Sequence, residues 1–442
     1  MSGAWLIISG ELMSFTLSRR QVLLSGTAAL AASALGTLPS WAQANALRLY
    51  FWGSQPRADR TYGVTNLYSE ANPDIAIDGE FLGWGDYWTK LATQTAGGNA
   101  PDIIQMDYRY IVEYANRGTL APLDGFVGSA LKLDDFDADQ IEGGKVNGQL
   151  YGISLGANSG SLLYNNTAIA EAGIEFDPAN VTYEELLSLG EAFAAAAPRG
   201  RMKLLSDGSV NDLALESWLR QKGKALFTAE GAVAFEAADL AEWFELWGEL
   251  RTAGACAATE DQVLDTGSID SALLTLGSAA STFTTSNQLV GFQAAIPDDV
   301  GIGIYPKIAA DSTGGQYRKP SMFFSVAGTS AQQEQAAAFI SYFVNDVSAG
   351  KVLGVERGIP CSASVRDAIS PELDAKNRAA LDYVAGLGDV LGALPPAPPP
   401  AAGEVATALT AKAQEIGFGM TSPTDGANAL FDDINAILAR AS

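Results

Sequence analysis

Histidine is absent from all 442 residues of this chain. That removes the commonest side-chain base near neutral pH and the commonest zinc ligand together, so histidine triads and histidine zinc centres are excluded. Cysteine is nearly absent too. Cys256 and Cys361 are too few for a disulfide scaffold, and the sequence leaves open whether they pair. Basic residues are scarce, 27 Lys and Arg against 51 Asp and Glu, for a net charge of -24. Such a surface repels nucleic acid and anionic membrane, and salt relieves its self-repulsion. No G-x-G-x-x-G or G-x-x-x-x-G-K-[ST] loop occurs, so nucleotide binding has no support. Beyond the first 44 residues no run of 18 apolar residues is found, which excludes a later membrane-spanning helix.

The N-terminus carries an address. Ser18-Arg19-Arg20-Gln21-Val22-Leu23-Leu24 supplies twin arginines, Val22 to Leu38 is apolar and small, and Ala42-Gln43-Ala44 has the small-x-small shape of a signal-peptidase site. The pattern predicts a twin-arginine (Tat) export signal over 1–44, with Asn45 as first mature residue and the periplasm as destination. A retained anchor is the competing reading, weakened by Gly26, Gly36 and Pro39 within a short stretch. Met13 is an alternative initiator to Met1. The mature chain has 25 basic and 50 acidic residues in 398, more than one hydrophobic core usually serves, which predicts two domains.

Along the mature chain, strands and helices alternate. Leu47 to Trp52 reads as a buried strand ending at Gly53 and a polar loop, Tyr62 to Glu70 as a helix, and Ile75 to Phe81 as a second strand. Asp86 to Gln94 suits a helix, Pro101 to Met106 a third strand with Asp107-Tyr108 at its carboxyl end, and Tyr110 to Asn116 a helix. This alternation predicts a mostly parallel α/β sheet with polar loops beyond its strand ends. Tyr151 to Tyr164, punctuated by Gly152, Gly156 and Gly160, reads as an extended crossover between domains. Thr182 to Glu185 has a capping-box pattern, and helices are expected over Asp212–Lys222 and Ala238–Ala253. Ile269 to Leu276 leads into a short strand at Ser281, Val300–Pro306 and Pro320–Gly328 read as strands, and Gln332–Val344 as an amphipathic helix. Proline-rich Gly392–Ala402 is a stiff surface crossing or linker.

The search for a catalytic centre finds little. Without histidine a hydrolase needs paired carboxylates, Ser with Lys, or a thiol, and no local pattern singles out such a set. Leu133 to Asp139 superficially resembles a calcium loop but lacks the central glycine and terminal glutamate, so it reads as a solvated acidic patch; structural calcium has no support and no cofactor is expected. What stands out is aromatics beside polar residues near predicted strand ends and glycine breaks: Trp52, Trp84, Tyr87, Tyr108, Trp218, Phe283 and Phe323. A sugar ring offers one C–H face and a rim of hydroxyls, which aromatic planes and hydrogen-bonding side chains match together. Each aromatic taken alone is as readily core packing. Tyr87 and Trp88 are adjacent on one helix and do not share a cleft face. Asp107 sits where it can accept two sugar hydroxyls or else cap the following helix, with Asn158, Ser159 and Asn287 as further polar candidates. Arg357 is either a ligand contact or a surface ion pair.

Certain segments, taken in order, resemble a known family. They are Leu49-Tyr50-Phe51-Trp52-Gly53; Tyr87-Trp88 through Gly98-Asn99-Ala100-Pro101-Asp102-Ile103-Ile104; Gly118-Thr119-Leu120-Ala121-Pro122-Leu123; Asn147-Gly148-Gln149-Leu150-Tyr151-Gly152-Ile153; Leu163-Tyr164-Asn165-Asn166 with Ala172-Gly173-Ile174; Thr182-Tyr183-Glu184-Glu185-Leu186; and Arg357-Gly358-Ile359-Pro360. From Leu47 to about Ala439 the chain resembles the sugar- and oligosaccharide-binding extracellular solute-binding proteins of bacterial ABC transporters, family 1. The resemblance implies an α/β, two-lobed periplasmic binding protein fold of type II-like form, with mixed sheets flanked by helices and a ligand cleft between lobes. Residues 45–155 with about 300–355 would form the N-terminal lobe and 156–299 with about 356–442 the C-terminal lobe. It implies a monomer that captures a carbohydrate and delivers it to ABC permease transmembrane subunits, without catalysis. Carried across, the cleft residues are Trp52, Gln55, Trp84, Asp107, Tyr108, Asn158, Trp218, Asn287, Phe323 and Arg357. Thr284-Thr285-Ser286-Asn287 departs from the glycine and tryptophan often found there, which points to a small or unusually polar ligand. A neutral mono- to trisaccharide leads, ahead of an acidic or sulfonated sugar anchored by Arg357 or Arg57, or a polyol or glycosyl-glycerol. No lipobox cysteine follows the signal, which implies a free periplasmic protein.

Overall fold

The first strand, Ala46–Trp52, is apolar at nearly every position because both its faces are covered: Leu47, Leu49, Tyr50, Phe51 and Trp52 are all buried. The computed structural model describes residues 46–441, so the expected export signal and cleavage site lie outside the described residues. Contacts gather Leu47–Pro73 and the chain from Ile77 onward into one unit.

Two sheets organise that unit. The first has five strands in the order Ala76–Leu82, Ala46–Trp52, Ile103–Met106, Phe323–Val326, Ile153–Ser154. Leu49 pairs with Ile103 in parallel, whereas Phe323 runs antiparallel to both Met106 and Ser154, so the sheet is mixed. The second sheet is antiparallel, with Gly160–Asn165 at its centre between Ser281–Thr285 and Val300–Gly303. Val300–Gly303, expected with the first lobe, thus pairs in the second sheet. The chain rejoins the first sheet at Phe323.

Between the sheets three segments cross side by side. Asn158 pairs with Lys319, and Ala157 exchanges backbone hydrogen bonds with Ile359, each 2.8 Å. The crossing is possible because Gly156 and Gly358 have no side chains: a Cβ on Gly156 would lie 2.7 Å from the Arg357 carbonyl oxygen, and Gly358 has φ +109°. The extended Tyr151–Tyr164 stretch is therefore the expected crossover.

Helices cover both sheets. The second sheet packs on an aromatic cluster of Tyr183, Trp218, Trp243, Trp247 and Phe283, with helices Tyr183–Ala196, Asp212–Gln221 and Ala237–Thr252 around it. Thr182 and Glu185 form the expected capping box. Two C-terminal helices, Ala402–Gly417 and Pro423–Ala441, complete that core and were not anticipated from sequence.

Two local expectations change and one holds. The helix foreseen from Tyr62 begins at Gln55 and runs to Ala71, because Pro56 in its first turn needs no backbone donor and is pre-set for helical φ. As expected, the Ile269–Leu276 stretch, here a 3-10 turn and a short helix, leads into the strand Ser281–Thr285. The acidic Leu133–Asp139 stretch is not a freely solvated patch: Asp135 accepts from Ser362 and from the Ser364 backbone, and Asp137 pairs with Arg318 and Arg366. No metal-competent group of three carboxylates or thiols occurs among the described residues. Both cysteines are buried and unpaired with each other.

Candidate binding cleft

Where the strand Ala46–Trp52 ends, the Trp52 ring stands edge-on to Trp84, with centroids 5.1 Å apart and planes at 84°. Trp84 opens the helix Trp84–Ala96, and Trp88 one turn later packs on Trp52 from behind at 5.6 Å. Asp107 and Tyr108 follow the strand Ile103–Met106, which delivers them to the same edge. Trp52, Trp84, Asp107 and Tyr108 form one wall of a cleft of about 670 Å³.

The opposite wall comes from the second sheet and its helices. Asn211 and Asp212 start the helix Asp212–Gln221, whose next turn brings in Glu216; Phe283, Thr285 and Asn287 come from the strand Ser281–Thr285 and the turn after it. Tyr317 and Lys319, two apart on an extended segment and so on one face, line the floor. The proline-rich segment is more than a surface crossing, since Pro395, Pro396 and Pro398 line the cleft and the Tyr108 hydroxyl donates to the Pro395 carbonyl at 3.3 Å.

The two walls touch. Arg109 forms an ion pair with Asp212 at 2.5 Å, about a fifth of each side chain remaining exposed. A Cβ on Gly267 would sit 3.2 Å from the Trp84 ring, and one on Gly403 only 2.2 Å from the Tyr110 ring.

Most of the cleft's cations are already neutralised. Arg57 is bound by Glu356 at 2.7 Å, with both side chains 2% exposed, and Arg109 by Asp212. Asp207 is held by Arg251 at 2.6 Å. Asp107 Oδ1 accepts from the Arg109 backbone N–H at 2.9 Å within the turn before the helix Ile111–Asn116, whose N-cap is Tyr110 without a side-chain cap, so Asp107 lines the cleft and does not cap that helix. Glu216 accepts from the Tyr317 hydroxyl at 2.6 Å, and burial pushes its carboxyl up to about 6. Burial lowers the Lys319 ammonium below its ordinary value.

Of the ten residues carried across from sequence, Trp52, Trp84, Asp107, Tyr108 and Asn287 line this cleft together. Asn158 stands one hydrogen bond behind, donating to Asn287 at 2.6 Å. The remaining four do not reach it. Gln55 is exposed in a helix's first turn, bonded to Asp59 at 2.7 Å. Trp218 is buried against Trp243, because two positions along a helix from Glu216 turns the side chain to the opposite face. Phe323 is fully buried in the first sheet, behind Tyr108 at 6.4 Å. Arg357 points into the first core, where it donates to Gln105 and, at 2.7 Å, to Thr61, among Phe51, Phe324 and Phe343. Sequence reasoning missed Arg109, Asp212, Glu216, Tyr317 and Lys319. The i, i+4 spacing of Asp212 and Glu216 and the alternation of Tyr317 and Lys319 were the available signals.

A family model for bacterial extracellular solute-binding proteins matches residues 65–380. The chain belongs to that family. Its members are solute-binding and extracellular, and no described helix of this solute-binding protein is long and apolar enough to cross a membrane. An extracellular solute-binding protein family 1 member from Alicyclobacillus acidocaldarius is 29% identical, with a TM-score of 0.63 over 89% of this chain and 98% of that one. A periplasmic oligogalacturonide binding protein from Yersinia enterocolitica, in complex with saturated digalacturonic acid, superposes with a TM-score of 0.80 at 21% identity over 90% and 99%. These likenesses show the periplasmic binding protein fold. A carbohydrate ABC transporter substrate-binding protein of Streptococcus pneumoniae is 30% identical over 158 residues, 34% of this chain. The alignments span only 28% to 32% of the length of such curated relatives.

Proposed function

We propose that this solute-binding protein is the carbohydrate receptor of an ABC importer, capturing a mono- to trisaccharide or sugar derivative and delivering it to the permease subunits. The observation that carries this reading is the composition of the cleft. Aromatic rings of Trp52, Trp84, Tyr108 and Tyr317 stand beside Asp107, Asn211, Glu216 and Asn287, the pairing of apolar faces and hydroxyl partners that a sugar ring requires. Relatives named for oligogalacturonide, cycloalternan and acarbose support the same class.

The mechanism is binding by closure. Ligand contacts on both walls favour the closed arrangement over the open one, and the three crossing segments are the hinge. The first-sheet half and the second-sheet half serve as the two lobes, and the closed monomer docks on the permease. Export by the twin-arginine leader, with cleavage near Ala44, places the receptor free in the periplasm.

Residues 45–442, unfolded and refolded to shed carried ligand, are tested by thermal melting against neutral sugars, uronic and sulfonated sugars, polyols, amino acids and peptides. A sugar that binds raises the melting temperature with the logarithm of its concentration. A rise with peptides or amino acids alone overturns the carbohydrate reading.

A further inference from the structure

Lys319 differs from the other cations of the cleft. Arg57 and Arg109 each have a carboxylate at 2.7 and 2.5 Å, whereas Lys319, 7% exposed, donates only to the Pro320 carbonyl at 3.2 Å among the described residues. An ammonium has three N–H donors, and a buried one without acceptors is costly. Strand pairing with Asn158 fixes its position on the crossing segments, where it lines the cleft.

Its neighbours are acidic. Asp107 and Glu216 line the same cleft and act electrostatically on Lys319, as do Arg109 and Asp212, which neutralise one another. Asp107 uses Oδ1 for the Arg109 turn, and Glu216 uses Oε2 for the Tyr317 hydroxyl. Each keeps an oxygen for a ligand. The floor therefore offers one unpaired ammonium and two unpaired carboxylate oxygens.

We propose that Lys319, Asp107 and Glu216 together set the specificity of the cleft for an uncharged sugar, Lys319 holding sugar hydroxyls and the two carboxylates excluding uronic acids. This rests on the carbohydrate-receptor reading above. A hydroxyl both donates and accepts, so adjacent hydroxyls of a neutral sugar satisfy the ammonium and the carboxylates at once. A ligand carboxylate only accepts. It would engage Lys319 while facing two like charges, and the cleft's arginines are already bound to Glu356 and Asp212. By this account the selectivity differs from that of the Yersinia structure, which holds a digalacturonic acid.

The test is calorimetric titration of refolded protein with matched probes, galactobiose against digalacturonic acid and glucose against glucuronic acid, after the melting panel has shown which sugar series binds. The neutral member is expected to bind at least about tenfold more tightly. Lys319→Met should weaken the neutral sugar about 10- to 100-fold, the range for hydrogen bonds to a charged group. Its ligand-free melting temperature should be unchanged or raised, which a purely structural lysine would not allow. Asp107→Asn keeps an oxygen for the Arg109 turn and should narrow the neutral-to-uronate ratio about tenfold. Uronates binding as well as their neutral partners, or Lys319→Met binding neutral sugar like the natural protein, would overturn the proposal and leave the receptor reading standing. Binding by no sugar overturns both.

Discussion

Replacing Glu356 with Gln leaves two buried guanidiniums without a carboxylate. Arg57 and Glu356 are 2.7 Å apart with 2% of each side chain exposed, and Arg357 lies close enough that burial and then Arg57 push its pKa down to about 9. The pair joins the first turn of the helix Gln55–Ala71 to the crossing segment before Gly358, and the Glu356 carbonyl also accepts from Asn287 at 3.4 Å. Breaking a buried pair from one side costs about 3–5 kcal/mol, chiefly because the remaining charge stays desolvated. Against a total stability of about 5–15 kcal/mol this is a large share. With a urea dependence of about 3 kcal/mol per M or more, the unfolding midpoint should fall by about 1 M. The assay is urea unfolding of ligand-free protein followed by tryptophan fluorescence and circular dichroism. The double variant Arg57→Met/Glu356→Gln removes both charges and should recover most of the loss. A loss below about 1 kcal/mol in Glu356→Gln would refute the reasoning, since it would mean that water or another group already solvates Arg57.

Glu216 makes stability depend on pH in the direction opposite to a paired carboxylate. Its folded value of about 6 lies above the ordinary 4.5, so its contribution is fully present below about pH 4.5 and is lost as pH rises through 6. Glu216→Gln should therefore gain about 2 kcal/mol on the natural protein between pH 4 and 7, read by urea titrations at each pH. Burial pushes the Cys361 thiol up to about 12 and Cys256 well above its ordinary value, so neither should react with a thiol reagent in native protein, and both should react in urea. Trp218→Ala, expected from sequence to weaken binding in an intact fold, should instead cost about 3–5 kcal/mol of stability while leaving affinity of the folded fraction within about threefold; calorimetry below the melting range separates the two.

Much of the architecture was readable in advance because it depends on local patterns. Leu47 to Trp52 is continuously apolar, and such a run ending at glycine is a strand covered on both faces. The capping box at Thr182 and the glycine-punctuated crossover are likewise local codes. The segment before Tyr62 reads as a polar loop because Pro56 signals both a break and a helix's first turn, and only the packing of the helix decides between them. The C-terminal helices went unnoticed although Pro423–Ala441 buries Leu430, Ile434 and Ile437 at helical spacing.

The sequence by itself determined the chemistry that is excluded, through the absence of histidine, and the acidity of the surface. It also determined the placement of Trp52, Asp107 and Tyr108 at strand ends, because strand alternation and termini are short-range properties. Tertiary structure alone decided which charges remain available to a ligand. Arg57 meets Glu356 across 299 positions, Arg109 meets Asp212 across 103, and Arg357 turns inward to Gln105 across 252. Charge partners so far apart in the chain leave no local periodicity, yet their pairing decides that Lys319, and neither arginine expected to anchor an acidic sugar, faces the cleft unpaired.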